Sequence, residues 1–166
     1  MTLRWNPNEV IAEVEAQERE LILDSLDHDD VWDLGNLVAG IGRMRELPIA
    51  VAIDLNGQRA FQAGLPGSTD ENDSWINRKV RTVREFHESS FLVGRRFEAR
   101  GESPDAELDV SLYAGHGGGF PLRIRQGDGE PLLAGVLVIS GLPQEDDHAL
   151  AVECLRLFTN NRQGEQ

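Results

Sequence analysis

The chain has 166 residues, of which 40% are hydrophobic and 27% charged, a composition typical of a globular protein that can bury a core. Its formal net charge of −13 argues against a general nucleic-acid or anionic-membrane binder, because such proteins need a basic surface. The sequence has no apolar run near the ~20 residues of a membrane span, and its start lacks the basic and apolar regions of a signal peptide. We therefore expect one cytoplasmic domain over residues 1–160, followed by a polar tail at 161–166.

The first half of the chain alternates helical and extended patterns. Hydrophobic spacing and capping residues predict, in order, a helix at 8–19, a short strand at 21–23, a helix from 27–30 to about 42, a strand at 48–55 and a second extended run through 61. Asn56 and Gly57 separate the last two runs. This dipeptide predicts a hairpin, because both central residues of a type I′ turn need positive φ.

A loop rich in Gly, Pro, Ser, Thr and Asp is predicted at 64–73, before a long helix at about 74–97. Between residues 77 and 96, two acidic residues stand against six basic ones: Arg78, Lys79, Arg81, Arg84, Arg95 and Arg96. This segment is therefore basic within an acidic protein. Lys79 is the only lysine of the chain, which is a weak sign that an ammonium group is needed there.

The last part of the chain predicts a second hairpin, with strands at 120–125 and 132–140 joined by a Gly- and Pro-containing turn. A final helix is predicted at about 144–158, with a frayed tail from Thr159. Cys154 lies on the apolar face of this helix and, as the only cysteine, leaves no internal disulfide. The order of elements predicts a mainly antiparallel sheet of about five strands with helices packed on it.

Several of these segments resemble the GlcG/HbpS-like, or haem-degrading-domain, family. The similar stretches are residues 75–79 (WINRK), 86–90 (FHESS), 117–121 (GGGFP), 139–143 (ISGLP) and 146–148 (DDH), and the likeness extends over nearly the whole chain. The resemblance is to the branch of the family whose members are mostly uncharacterised. It implies a profilin-like α/β/α domain that assembles into dimers or larger rings. It also implies haem as a candidate cofactor, with no iron ligand that can be carried over.

The predicted long helix carries the first group of candidate ligand-binding residues. On helical spacing, Trp75 and Ser90 share a face with Lys79, and Arg78 lies near Ser89. An aromatic surface beside cations and hydroxyls suits an anionic planar ligand, including a haem propionate edge. The alternative is an interface helix whose cations pair with acidic groups of a second subunit.

The glycine-rich stretch supplies the second group of candidates. Gly117, Gly118 and Gly119, followed by Phe120, can form a nest of N–H groups for an anion. The alternative is a conformational hinge, since the spacing is not that of a phosphate-binding loop. His116 is a candidate axial ligand or acid–base group, or simply a solvated loop residue.

Asp146, Asp147 and His148 offer donor atoms for a metal, and Asp147 and His148 are the candidates that we retain. Acidic residues in a first helical turn are favoured by free N–H groups alone, so capping is the preferred interpretation. Ser140 does not lie in a nucleophile elbow, which gives a hydrolase little support.

We interpret the chain as a cytoplasmic oligomer that binds a small anionic or planar ligand, haem by resemblance, with no nucleic acid or membrane as partner. The alternative is a structural or interaction protein without a ligand, acting through its assembly. An enzyme acting on haem or another small molecule has the least support from the sequence.

Overall fold

The computed structural model describes residues 5–164, and the positions below refer to that part of the chain. Its helices and strands follow in the order α1 Pro7–Glu20, β1 Ile22–Leu23, α2 His28–Met44, β2 Ala50–Leu55, β3 Gln58–Gly64, α3 Asp70–Phe86, α4 Ser90–Ala99, α5 Pro104–Glu107, β4 Gly119–Gln126, β5 Gly129–Ser140 and α6 Gln144–Gly164. Among these helices, none is long and apolar enough to cross a membrane.

The strands form one five-stranded sheet in the order β1-β4-β5-β2-β3. Its pairs are antiparallel except for β1 with β4, so the predicted mainly antiparallel sheet is confirmed. Both predicted hairpins are present, with β5 three residues longer at its start than expected. Asn56 and Gly57 have φ angles of 50° and 87°, the positive values that the first turn requires.

Helices cover both faces of the sheet because its central strands are apolar on both sides. On β2, Val51 and Ile53 belong to the core beneath α2 and α6, whereas Ala50 and Ala52 pack with the buried face of α3. Alternate residues of a strand point to opposite faces, so one strand contributes to both cores. The result is the α/β/α architecture that the family resemblance implied.

The predicted helix at 74–97 is wrong in both its start and its continuity. The helix α3 already begins at Asp70, capped by the Thr69 side chain, because its acidic first turn suits a helix N-terminus. It ends at Phe86, and His87 adopts a left-handed conformation with φ 60°. Ser89 then caps a separate helix, α4. Arg78 and Ser89 therefore lie on different helices, and the face that they were predicted to share does not exist.

The prediction of a frayed tail from Thr159 is also wrong, since α6 continues to Gly164. Arg162, on these last turns, pairs with Asp30 of α2 and stacks over Phe158 at 4.8 Å. The pair with Asp30 holds the polar end of the helix against α2. The single domain over residues 1–160 remains a prediction.

Candidate functional site

A cavity of about 320 Å³ lies where the first turns of α3, the end of β5 and the start of α6 meet. It is lined by Asn72, Trp75, Lys79, His116, Ser140, Gly141, Leu142, Gln144 and Asp147. Three of the predicted ligand-binding residues, Trp75, Lys79 and His116, are therefore brought to one cavity. Asp147, a weak metal candidate, is brought to it as well.

Lys79 and Asp147 are the buried charged groups of this cavity, each with 3% of its side chain exposed. Lys79 Nζ donates to the Ile139 carbonyl at 3.1 Å and to Asp147 Oδ2 at 3.3 Å. The same Nζ lies 5.9 Å from the centre of the Trp75 ring. Burial lowers the pKa of Lys79, and the nearby Asp147 carboxylate partly opposes this effect.

Asp147 is held in place by both of its carboxylate oxygens. One accepts from Lys79, and Oδ1 accepts from the Leu142 backbone N–H at 3.0 Å. Burial raises the pKa of Asp147 to about 6, against the opposing effect of Lys79. Over residues 5–164, no group of three His, Cys, Asp or Glu side chains is arranged to hold a metal ion. The contacts of Asp147 are with Lys79 and with the segment that precedes α6, and the capping interpretation of the acidic cluster stays a prediction.

Gly118 makes room for the Lys79 side chain. A Cβ at this position would lie 2.2 Å from the Ile139 carbonyl oxygen and 2.7 Å from Lys79 Nζ. The φ of Gly118 is +135°, which residues with a side chain rarely adopt. A residue with a side chain would suffer both the steric overlap and the strained φ, so position 118 needs glycine to accommodate Lys79.

The other two glycines of the run use their N–H groups within the protein. Gly117 donates to Gln144 Oε1 at 3.0 Å, and Gly119 donates to Ser90 Oγ at 2.9 Å. These two N–H groups are not free to form the predicted anion nest. The contacts favour the alternative that the glycine run is a structural junction.

His116 and Trp75 form the aromatic side of the cavity. Their rings meet edge to face with centroids 5.3 Å apart, and His116 Nε2 lies 2.9 Å from Asp105 Oδ1. Arg78 covers the Trp75 ring at 4.0 Å and donates to the Val110 carbonyl at 3.4 Å. Arg78 therefore supports the aromatic wall but does not line the cavity.

The remaining candidates have structural contacts outside the cavity. Ser89 is buried, donates its N–H to Glu18 at 3.2 Å and accepts at Oγ from the Leu92 N–H at 3.2 Å. Phe120 is fully within the core. His148 is buried against the Phe91 ring at 4.9 Å, and its desolvation, together with Arg95, lowers its pKa to about 4.

Several cavity residues were not predicted from the sequence: Asn72, Ser140, Gly141, Leu142 and Gln144. Asn72 Nδ2 donates to Ser140 Oγ at 3.1 Å, which links the start of α3 to the end of β5. Gly141 has a φ of +139° and turns the chain from β5 toward α6. The Ser-Gly-Leu-Pro segment at the strand end was the available signal, although it was used for the family resemblance and, at Ser140, weighed only for a hydrolase site.

Comparisons with known proteins agree on one family. A family model described as "Haem degrading protein HbpS-like" matches residues 26–156. The UPF0303 protein of Streptomyces avermitilis is 49% identical over 150 residues, which are 89% of this chain and 90% of that protein.

Two solved structures share the fold. The Ybr137w protein is 32% identical, with a TM-score of 0.81 over 91% of this chain and 88% of that one. The PduOC:Heme complex is 19% identical, with a TM-score of 0.64 over 80% of this chain and 94% of that one. The chain belongs to the HbpS-like family of haem degrading proteins, in the branch that includes the UPF0303 proteins.

Proposed function

We propose that the protein binds a small planar or anionic ligand in the Lys79 cavity, with haem as the leading candidate. The observation that carries this proposal is the position of a buried ammonium group beside an aromatic wall in one cavity. Ligand sites characteristically combine apolar or aromatic walls with a few convergent polar groups. The cavity volume of about 320 Å³ suits a small ligand or one part of a larger planar group.

The residues around His116 fit haem in one specific respect. Metal-binding histidines generally bond their second ring nitrogen to a carboxylate or carbonyl oxygen, which fixes the ring. His116 Nε2 makes such a contact with Asp105 at 2.9 Å, so His116 would hold iron through its other ring nitrogen. Arg78, over the Trp75 ring at 4.0 Å, is the cation beside this wall that would hold a propionate, since Lys79 is already paired with Asp147.

The relatives support haem more than any other ligand. The family description refers to haem degradation, and the PduOC neighbour was solved as a haem complex. At 19% identity, that neighbour shows the fold alone, so haem is proposed for this chain from the family and the cavity together.

Haemin titration tests the proposal, with His116→Ala as the main variant and His28→Ala as its matched control. His28 is exposed, and its Nε2 also contacts a single side-chain oxygen, Gln58 Oε1, at 2.9 Å. We expect a saturable Soret change in the wild type and the control, and a tenfold or greater loss of affinity in His116→Ala. Haem binding is excluded if the wild type shows no saturable change. The His116 assignment is excluded if both variants bind equally.

We also propose that the protein acts as a homo-oligomer in the cytoplasm. The sequence-based alternative, a ligand-free interface built from the basic segment, has less support, because its cations have partners within the chain. Arg95 pairs with Glu98, Arg96 with Glu88, and Lys79 with Asp147. Light scattering across a range of protein concentrations tests self-association, and a mass that stays at one chain would contradict it.

A further inference from the structure

We propose that Lys79 is an amine nucleophile that forms an imine with a small uncharged aldehyde in its cavity. The inference rests on the proposed function only in that the same cavity admits a ligand, and it does not require haem. A lysine that forms an imine needs a desolvated amine, a partner that takes and returns a proton, and space beside Nζ for a carbonyl carbon. The structure supplies these three features at one position.

The first feature is the isolation of the amine. The Lys79 side chain is 3% exposed, yet it lines the cavity. The two acceptors of its Nζ are the Ile139 carbonyl and Asp147, and an ammonium group has three protons to donate. A side chain at position 118 would overlap Nζ, so the glycine there leaves space beside the amine.

The second feature is the proton partner. Asp147 Oδ2 is 3.3 Å from Nζ, and both groups are buried. Burial disfavours the charged forms of both, since it lowers the pKa of Lys79 and raises that of Asp147. The hydrogen bond from Nζ to Oδ2 gives the ammonium proton a direct path to the carboxylate, and its transfer leaves a neutral pair with a free electron pair on Nζ.

The reaction that follows is balanced within the site. Nζ bonds to the carbonyl carbon as the C=O π bond breaks, and the oxygen becomes a hydroxyl by taking the proton that Nζ loses. The C–O bond then breaks, and the hydroxyl leaves as water with the proton held by Asp147. The product is a protonated imine on Lys79 with the Asp147 carboxylate as its counter-ion, so the charge of the pair is unchanged. No oxidant or reductant is consumed.

The lining of the cavity favours an uncharged aldehyde with a hydroxyl group. The Asp147 carboxylate at the reacting nitrogen disfavours a second carboxylate, such as that of a keto acid. Asn72 and Ser140 are joined by a hydrogen bond of 3.1 Å at the cavity wall and offer amide and hydroxyl groups to a hydroxyl of the ligand. Trp75 supplies the apolar side.

Reductive trapping tests the proposal directly, since Lys79 is the only lysine. The protein is incubated with glycolaldehyde and cyanoborohydride, and the modified residue is identified by peptide mass spectrometry. Arg19→Lys provides an exposed reference amine in the same chain, because Arg19 is exposed on α1. We expect Lys79 to gain a hydroxyethyl group at least tenfold faster than this reference amine, and pyruvate to react at least tenfold more slowly than glycolaldehyde.

Two results would overturn the proposal. One is a Lys79 that reacts no faster than the reference amine, and the other is an Asp147→Asn variant that reacts as fast as the wild type. Faster reaction with pyruvate would overturn the assignment of an uncharged ligand. Trapping is measured as added mass on Lys79, and haem binding is measured as a Soret change that depends on His116. Either proposal can therefore fail while the other holds.

Discussion

Lys79 and Arg95 are both buried cations, but their surroundings differ. The exposed fractions of their side chains are 3% and 0%. Arg95 bonds both oxygens of Glu98 at 2.8 and 3.0 Å and Gln144 Oε1 at 2.9 Å. Its guanidinium also lies 4.8 Å from the Trp5 ring and 4.7 Å from the Phe91 ring. Lys79 has two acceptors, at 3.1 and 3.3 Å, and lines a cavity.

This difference indicates different roles for the two cations. A guanidinium stays charged and is best stabilised by fixed acceptors and aromatic faces, which is the environment of Arg95. A lysine can change its charge when it is desolvated. We therefore assign Arg95 to the stability of the fold and Lys79 to the chemistry of the cavity.

The largest expected effect is the loss of stability in Arg95→Met. This change leaves Glu98 and Gln144 without their buried partner, and breaking a buried ion pair costs about 3–5 kcal/mol. Lys79→Met should cost less than about 2 kcal/mol at pH 6, because Asp147 can take a proton and become neutral. Urea denaturation measures both values. Equal losses would contradict the assignment of separate roles.

Gly118→Ala tests whether the Lys79 environment depends on the absence of a side chain. We expect a loss of about 3 kcal/mol from steric overlap and strained φ, since a Cβ would meet the Ile139 carbonyl at 2.2 Å. Gly127→Ala is the matched control, with φ +52° and no atom within 4 Å of its Cβ, and should cost about 1 kcal/mol. Thermal unfolding measures the loss of stability in each variant. Similar losses in the two variants would contradict the close packing around Gly118.

The buried His148, near Arg95, makes the stability of the folded protein depend on pH. Its pKa is lowered to about 4, so the unfolded chain binds the extra proton first as the pH falls below about 6.5. This contribution to stability is complete above pH 6.5 and decreases on acidification toward pH 4. The raised pKa of Asp147 has the opposite effect on stability, which it increases as the pH falls from about 6 to 4. The pH dependence of the wild type alone therefore does not isolate the contribution of His148.

The comparison with His148→Gln isolates the histidine. Between pH 7 and 5, the wild type should lose about 2 kcal/mol relative to the variant. Urea midpoints at the two pH values measure this difference. A difference that does not change with pH would mean that His148 takes up its proton equally in the folded and unfolded protein, which contradicts a lowered pKa.

Gln144 should give the smallest effect, because it contributes two hydrogen bonds, to Arg95 and to the glycine run, and carries no charge. Its Oε1 accepts from Arg95 at 2.9 Å and from the Gly117 N–H at 3.0 Å. In a double-mutant cycle, Gln144→Ala should couple to Arg95→Met by about 1 kcal/mol and add independently to Lys79→Met. Stronger coupling to Lys79→Met would show that the two cations share one network.

Elements with strong local signals were predictable from the sequence. The Asn56-Gly57 turn sets the first hairpin through its own φ angles, and the continuous apolar run at 48–55 indicates the buried strand β2. The break between α3 and α4 has no Gly or Pro to mark it. Contacts from distant residues form it: Glu18 accepts from the Ser89 N–H, and Arg123 donates to the His87 carbonyl.

The cavity was predictable only in part for the same reason. Trp75, Lys79 and His116 were selected for their chemistry, and they do line it. The bond between Lys79 and Asp147 spans 68 positions in the sequence and depends on how α6 follows β5. Helical spacing along one segment could not reveal this contact.

The most direct test of the central claim uses the single lysine as a spectroscopic probe. Protein labelled with ¹⁵N at the lysine side chain carries one labelled nitrogen, Lys79 Nζ, because the chain has no other lysine. If the Lys79 cavity is the ligand site, this signal should shift or broaden in proportion to the Soret change as haemin is added. A Soret change that saturates while the Nζ signal stays unchanged would show that the ligand binds elsewhere.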